Sequence, residues 1–130
     1  MADKKIMVDS TILIDYFRKI DKSKSQLVQH SINYDKIYIS VVTEFEIING
    51  ATPAQLEFWN NMLSGFTILD FDSKVARQAA IIVQQLKKRR KSIDKADLFI
   101  AATAVTHNLV LDTANTRHFK FIETLKLFSN

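Results

Sequence analysis

The chain has 130 residues, of which 47% are hydrophobic and 25% charged, a balance that excludes both a disordered polar chain and an integral membrane protein. It contains no cysteine, which rules out disulfides and thiolate-ligated zinc or iron–sulfur centres. A formal net charge of +4 and a pI of about 9.4 favour polyanionic partners such as nucleic acid.

With only two Gly and one Pro there is little material for flexible linkers, so one domain over residues 1–130 is expected. The apolar stretch after Met1 to Lys5 is shorter than the roughly 7–15 residues of a signal-peptide core. No segment approaches the roughly 20 apolar residues of a membrane span. A cytoplasmic protein without membrane association is the expectation.

Ile6-Met7-Val8 reads as a strand that ends in Asp9-Ser10-Thr11, after which Ile12, Leu13, Tyr16, Phe17 and Ile20 recur at helical spacing. Leu27, Val28 and Ile32 mark a second short helix. Ile37-Tyr38-Ile39 is a second strand, followed by a helix running to Ala51. Pro53 opens a helix through Leu56, Trp59 and Leu63 that ends at Gly65, and residues 66–71 form a third strand. Asp72-Ser73 caps a long helix through Val75, Ala79, Ile82 and Leu86, whose basic tail Lys87 to Lys91 suits a helix C-terminus. Asp94 opens a helix through Leu98, Ile100, Ala101 and Ala104. Leu109-Val110-Leu111 is a fourth strand, and residues 119–128 supply a possible fifth. Strands alternating with helices predict an α/β fold of three layers, α/β/α, around a central parallel sheet of four to five strands.

In an open parallel sheet, ligands bind beyond the carboxyl ends of the strands, so the acids there carry functional weight. Asp9 and Asp112 stand at such ends. Asp9 has two readings, a helix cap or a carboxylate aimed at the crevice. Glu44 interrupts an apolar stripe with Ile47, Ile48 and Ala51, a place where a carboxylate needs a partner or a metal, whereas Glu46, three residues after Thr43, is read as the far half of a capping box. Asp94 is read as a cap. Asp97 either supports the helix dipole or completes a carboxylate cluster. Clustered carboxylates repel unless a hard cation such as Mg²⁺ or Mn²⁺ sits among them, and such a cation promotes phosphodiester hydrolysis.

Four motifs in order carry a resemblance: Asp9-Ser10-Thr11 with Leu13-Ile14-Asp15, then Ser40-Val41-Val42-Thr43-Glu44, then Asp97 to Ala104, then Thr113-Ala114-Asn115-Thr116-Arg117-His118-Phe119. Together they resemble PIN-domain ribonucleases, and specifically the VapC-type toxins of bacterial toxin–antitoxin pairs, over residues 6–127. The resemblance implies a single PIN domain acting as a Mg²⁺-dependent endoribonuclease on RNA, a homodimer, and a cognate antitoxin that holds it inactive. It assigns the acidic metal positions to Asp9, Glu44 and Asp97 and the fourth polar position to Asn115, with Thr113 as the motif's hydroxyl and Ser10 as a supporting hydroxyl. Asp112 departs from the usual apolar residue and is an alternative fourth ligand.

Other readings carry different features. His30, His107 and His118 show no metal-ligand spacing, and Lys87 to Lys91 reads first as a solvated helix end. Trp59 and the nine Phe read as core or partner surface. An aspartyl-phosphate mechanism at Asp9 would call for a second Asp where Thr11 stands. A PIN-like module that binds RNA or protein without catalysis is the alternative function, and metal-dependent cleavage separates it from the enzyme.

Overall fold

Ile6, Met7 and Val8 lie at the centre of the sheet, and all three are fully buried. The computed structural model describes residues 3–130, among which four strands and seven α-helices are formed. The strands are β1 (Lys5–Val8), β2 (Lys36–Ser40), β3 (Thr67–Leu69) and β4 (Val110–Asp112). They pair in parallel in the order β3-β2-β1-β4, with Ile6 registered against Ile37 on one side and Val110 on the other.

The chain steps outward from β1 through β2 to β3 and then returns across the sheet to β4. A parallel sheet built this way has its topological switch between β1 and β4. The helices α1 (Ser10–Arg18), α2 (Gln26–Asn33), α3 (Val41–Gly50) and α4 (Leu56–Leu63) fill the connections as far as β3. Beyond β3 come α5 (Ser73–Lys88) and α6 (Lys95–Thr106), and the short α7 (Thr116–Phe119) follows β4.

Because successive strand residues point to opposite faces, Met7 and Val8 belong to different cores. Val8 packs with Leu13, Ile39, Ile47, Trp59 and Leu63 on the α1–α4 side. Met7 packs with Val75, Ile82, Ile100, Leu111 and Phe119 on the α5–α7 side. The result is the expected α/β/α sandwich.

Helix starts follow side-chain chemistry. Asp72 accepts from the Val75 amide and Asp94 from the Ala96 amide, as anticipated, while Asp9, Ser25 and Ser40 cap α1, α2 and α3. Two expectations need correction. Residues 119–128 form no strand: bonds from Ile122 N–H to the Phe119 carbonyl and from Leu125 N–H to Ile122 curl the segment, and only one bridge, Leu111 to Leu127, reaches β4. The start of α3 is also displaced, because Ser40 rather than Thr43 is its cap, and Thr43 is a buried residue inside the first turn. No helix of the described residues is long and apolar enough to cross a membrane.

Candidate active site

Asp9 leaves the end of β1 next to β4, its amide donating to the Asp112 carbonyl at 3.3 Å, so it sits at the switch between the two strands. Its side chain is 3% exposed. The two readings of Asp9 are both satisfied in part: its carboxylate caps α1 through the Thr11 amide, and the Thr11 hydroxyl also donates to it. Burial pushes the Asp9 carboxyl above the ordinary range, opposed by hydrogen bonds from the Thr11 and Thr113 side chains.

A second acid arrives from α3, and it is Glu46. Ser10 Oγ donates to Glu46 Oε1 at 3.1 Å. Burial raises the Glu46 carboxyl, the Ser10 hydrogen bond opposes this, and the negative charges of Asp97, Asp9 and Asp94 raise it further. The geometry brings Glu46, and not the expected Glu44, towards these acids. At 3.6 residues per turn, positions 44 and 46 differ by about 200° around the helix, so their side chains diverge. Glu44 faces Ile48, Asn60 and Ser64 on the far side of α3, whereas Glu46 faces Ile14 and Arg18 of α1.

Asp97 comes from the opposite layer, in the first turn of α6. Its Oδ2 lies 3.1 Å from Nδ1 of His118 on α7. Burial raises the Asp97 carboxyl, the His118 contact lowers it, and the neighbouring Asp94 raises it. His118 was not singled out by spacing, because no other histidine stands near it in the chain. Its place three residues after Asn115, on one turn, was the available signal.

The loop after β4 is tied to Asp9 rather than to bulk solvent. The Ala114 amide donates to the Thr11 hydroxyl at 2.8 Å, and the Asn115 amide donates to the Thr113 hydroxyl at 3.1 Å. Thr113 is buried, and Asn115 is half-buried at the start of α7 with a side chain that makes no capping bond. Asp112 turns the other way. Its Oδ2 lies 2.6 Å from Nε2 of the buried His30, which is edge-on to the Phe128 and Tyr34 rings. Asp112 thus joins α2 to β4 and takes no part in the cluster of Asp9, Glu46 and Asp97.

The donors in the crevice are carboxylate, hydroxyl and amide oxygens, the set that a hard divalent cation takes and a soft metal does not. As the side chains stand, no three Asp, Glu or His groups among the described residues converge closely enough to hold a metal ion. Each acid is held by its own partner: Asp9 by Thr11, Glu46 by Ser10, Asp97 by His118. The donor chemistry fits a cation that draws these groups together, and the mutual repulsion felt by Glu46 is what such a charge would relieve.

A family model described as the PIN domain matches residues 6–123. Among curated relatives, Ribonuclease VapC1 of Methanocaldococcus jannaschii is 37% identical over 97% of this chain and 85% of its own length. Ribonuclease VapC10 of Mycobacterium tuberculosis is 34% identical over 93% of this chain and 90% of its own. Among solved structures, a chain of the DNA-bound VapBC complex from Salmonella typhimurium superposes with a TM-score of 0.86 at 25% identity, covering 96% of this chain and 97% of that one. The sequence and the fold therefore agree with these matches, and the chain belongs to the PIN-domain family, among its VapC-type members.

Proposed function

We propose that this protein is a metal-dependent endoribonuclease and the toxin of a toxin–antitoxin pair. The observation that carries the reading is the mutual approach of Asp9, Glu46 and Asp97, from β1, α3 and α6, near the sheet's switch point, where Glu46 feels the negative charge of the other two and all three carboxyls are pushed upward. Acids drawn out of water, Asp9 fully and Glu46 and Asp97 in part, are costly to a fold, and such groups gather at functional sites. The relatives' names, ribonucleases of the VapC type, support RNA as the substrate.

In this reading Asp9, Glu46 and Asp97 hold Mg²⁺, with Mn²⁺ as a substitute, and Asn115 contributes its amide oxygen. The cation supplies an activated water and offsets charge on the scissile phosphate. The chain's own residues do the orienting. Thr11 and Thr113 fix the Asp9 carboxylate, Ser10 fixes Glu46, and His118 holds Asp97. Asn115 is neutral, so the site carries three full negative charges rather than four.

The solved neighbours are VapBC complexes, which supports a cognate antitoxin as the partner that suppresses activity. A homodimer working in the cytoplasm is part of the same reading. The test is cleavage of pooled tRNA and mRNA by the purified protein. We expect cutting in Mg²⁺ or Mn²⁺ that stops on adding excess EDTA and is absent in Asp9→Asn. Robust cutting in chelator would remove the metal from the reading, and no cutting under any metal would leave a binding module.

A further inference from the structure

Two helices end in the same hydrogen-bonded motif with unlike residues at its strained position. At the end of α6, Leu109 N–H bonds to the Ala104 carbonyl and Asn108 N–H to that of Val105, with Asn108 at φ 54°. At the end of α5, Lys91 N–H bonds to the Leu86 carbonyl and Arg90 N–H to that of Lys87, with Arg90 at φ 56°. Both are Schellman endings, whose left-handed residue is usually Gly and sometimes Asn. Asn108 conforms. Arg90 pays a steric penalty that glycine would avoid.

The place where Arg90 stands suggests what it is kept for. A groove of about 410 Å³ is lined by Arg90, Lys91 and Arg117 together with Asp94, Asp97 and His118, so it reaches the Asp97 edge of the proposed site. Lys91 is held in place, and two further cations outside the groove lining, Lys120 and Arg89, gather at the same ring. Lys91 Nζ lies 4.2 Å from the centre of the Phe121 ring, with Lys120 Nζ at 5.1 Å and the Arg89 guanidinium at 5.4 Å from the same ring. Arg89 is fixed further by its bond to the Phe121 carbonyl at 3.0 Å.

We propose that this groove holds the RNA backbone beside the scissile phosphate, with Arg90, Lys91 and Arg117 contacting phosphates and Arg90 retained at a cost in stability for that contact. The proposal rests on the ribonuclease reading above. A crevice of carboxylates repels a polyanion, and bound RNA needs compensating cations within a Debye length, about 8 Å at physiological salt. The groove puts them on the wall next to Asp97. The basic run at the end of α5 is therefore a part of the substrate path as well as a helix terminus.

The experiment compares Arg90→Gly, Arg90→Lys and Arg77→Gln, the last removing an exposed charge earlier on α5. Binding of a short fluorescein-labelled single-stranded RNA is followed by anisotropy in chelator across a salt series, beside thermal melts. For Arg90→Gly we expect RNA affinity to fall about 3- to 10-fold and the log–log salt slope to become shallower by about 0.7, one phosphate contact's worth on a single strand. Its melting midpoint should rise by about 4 °C as the left-handed strain is relieved. Arg90→Lys should keep the slope, and Arg77→Gln should change neither quantity.

A more stable Arg90→Gly that binds RNA as the wild type does would overturn the proposal, as would equal losses in Arg90→Gly and Arg77→Gln. Poly-glutamate is the second probe. If Arg90→Gly lost affinity for it alone, the groove would serve an acidic protein segment and the RNA assignment would fall. A wild type that binds RNA with the expected dependence on Arg90 but cuts nothing in Mg²⁺ supports the groove and defeats only the nuclease reading.

Discussion

His118 Nδ1 stands 3.1 Å from Asp97 Oδ2 and so ties the helix after β4 to the start of the helix before it. The contact lowers the Asp97 carboxyl against the upward push of burial. Removing the imidazole therefore moves Asp97 further up. In His118→Ala the acid limb of the kcat/KM profile should shift to higher pH, because Asp97 takes up its proton sooner as pH falls. A pH series of initial cleavage rates reads this directly, and an unmoved acid limb would separate His118 from the ionisation of Asp97.

Glu44 and Glu46 provide a sharp internal control, since they sit two residues apart on one helix and face different surroundings. Glu46→Gln should reduce cleavage by about 100-fold or more, on the scale of losing a carboxylate near a metal. Glu44→Gln should stay within about 3-fold of wild type, as expected of a surface change away from the site. Rates measured at saturating Mg²⁺ on one RNA decide between them.

The buried charge of Asp9 sets up a trade between activity and stability. An acid whose folded pKa lies above its unfolded value is penalised once pH exceeds the folded value, and the penalty vanishes below the unfolded value, about 3.9 for Asp. Asp9→Asn keeps an oxygen for the Thr11 amide while removing the charge. In metal-free buffer at pH 7 it should raise the melting midpoint by about 4 °C, equivalent to about 1 kcal/mol. That gain should shrink as pH falls through the raised Asp9 pKa, while cleavage is lost at every pH. Melts from pH 4 to 8, paired with activity, test both halves.

His30 and Asp112 form a buried pair at 2.6 Å with side chains 1% and 9% exposed. Removing one partner strands the other, so His30→Leu should destabilise by about 3–5 kcal/mol and Asp112→Asn, which can still accept a hydrogen bond, by about 1–3 kcal/mol. Asn115→Ala should do the reverse, leaving the melt nearly unchanged and lowering cleavage more than Asp112→Asn does. Urea melts run beside rate measurements distinguish the structural residue from the site residue.

Element order and the three-layer architecture were legible in the chain because short continuous apolar runs such as Ile6 to Val8 alternate with 3.6-period runs such as Val75 to Leu86. Asp9 and Asp97 were legible for a related reason: one follows a strand directly and the other lies in a first helical turn. The glutamate was misplaced because the cap of α3 was. Both Ser40 and Thr43 have cap chemistry, and only the actual start at Ser40 shows that Glu46 turns towards α1 and Glu44 away from it. The roles of His118 and Arg90, residues already named in the last motif and the basic run, were not legible for a different reason. Their roles arise from contacts across the fold or from a backbone angle, which no local pattern reports.

The two cores on opposite faces of the sheet have a consequence for the order in which the molecule becomes dangerous to its host. Asp9 and Glu46 belong to elements packed in the Val8 layer, and Asp97 to an element packed in the Met7 layer. A chain with one layer docked has at most two of the three acids in place, whatever its helix content. Nuclease activity during refolding should therefore lag behind the far-ultraviolet signal and coincide with the last docking step. With the site proposed here, a nascent or partly unfolded copy would be chemically silent, and the acid cluster would work as a completion check on the whole sandwich.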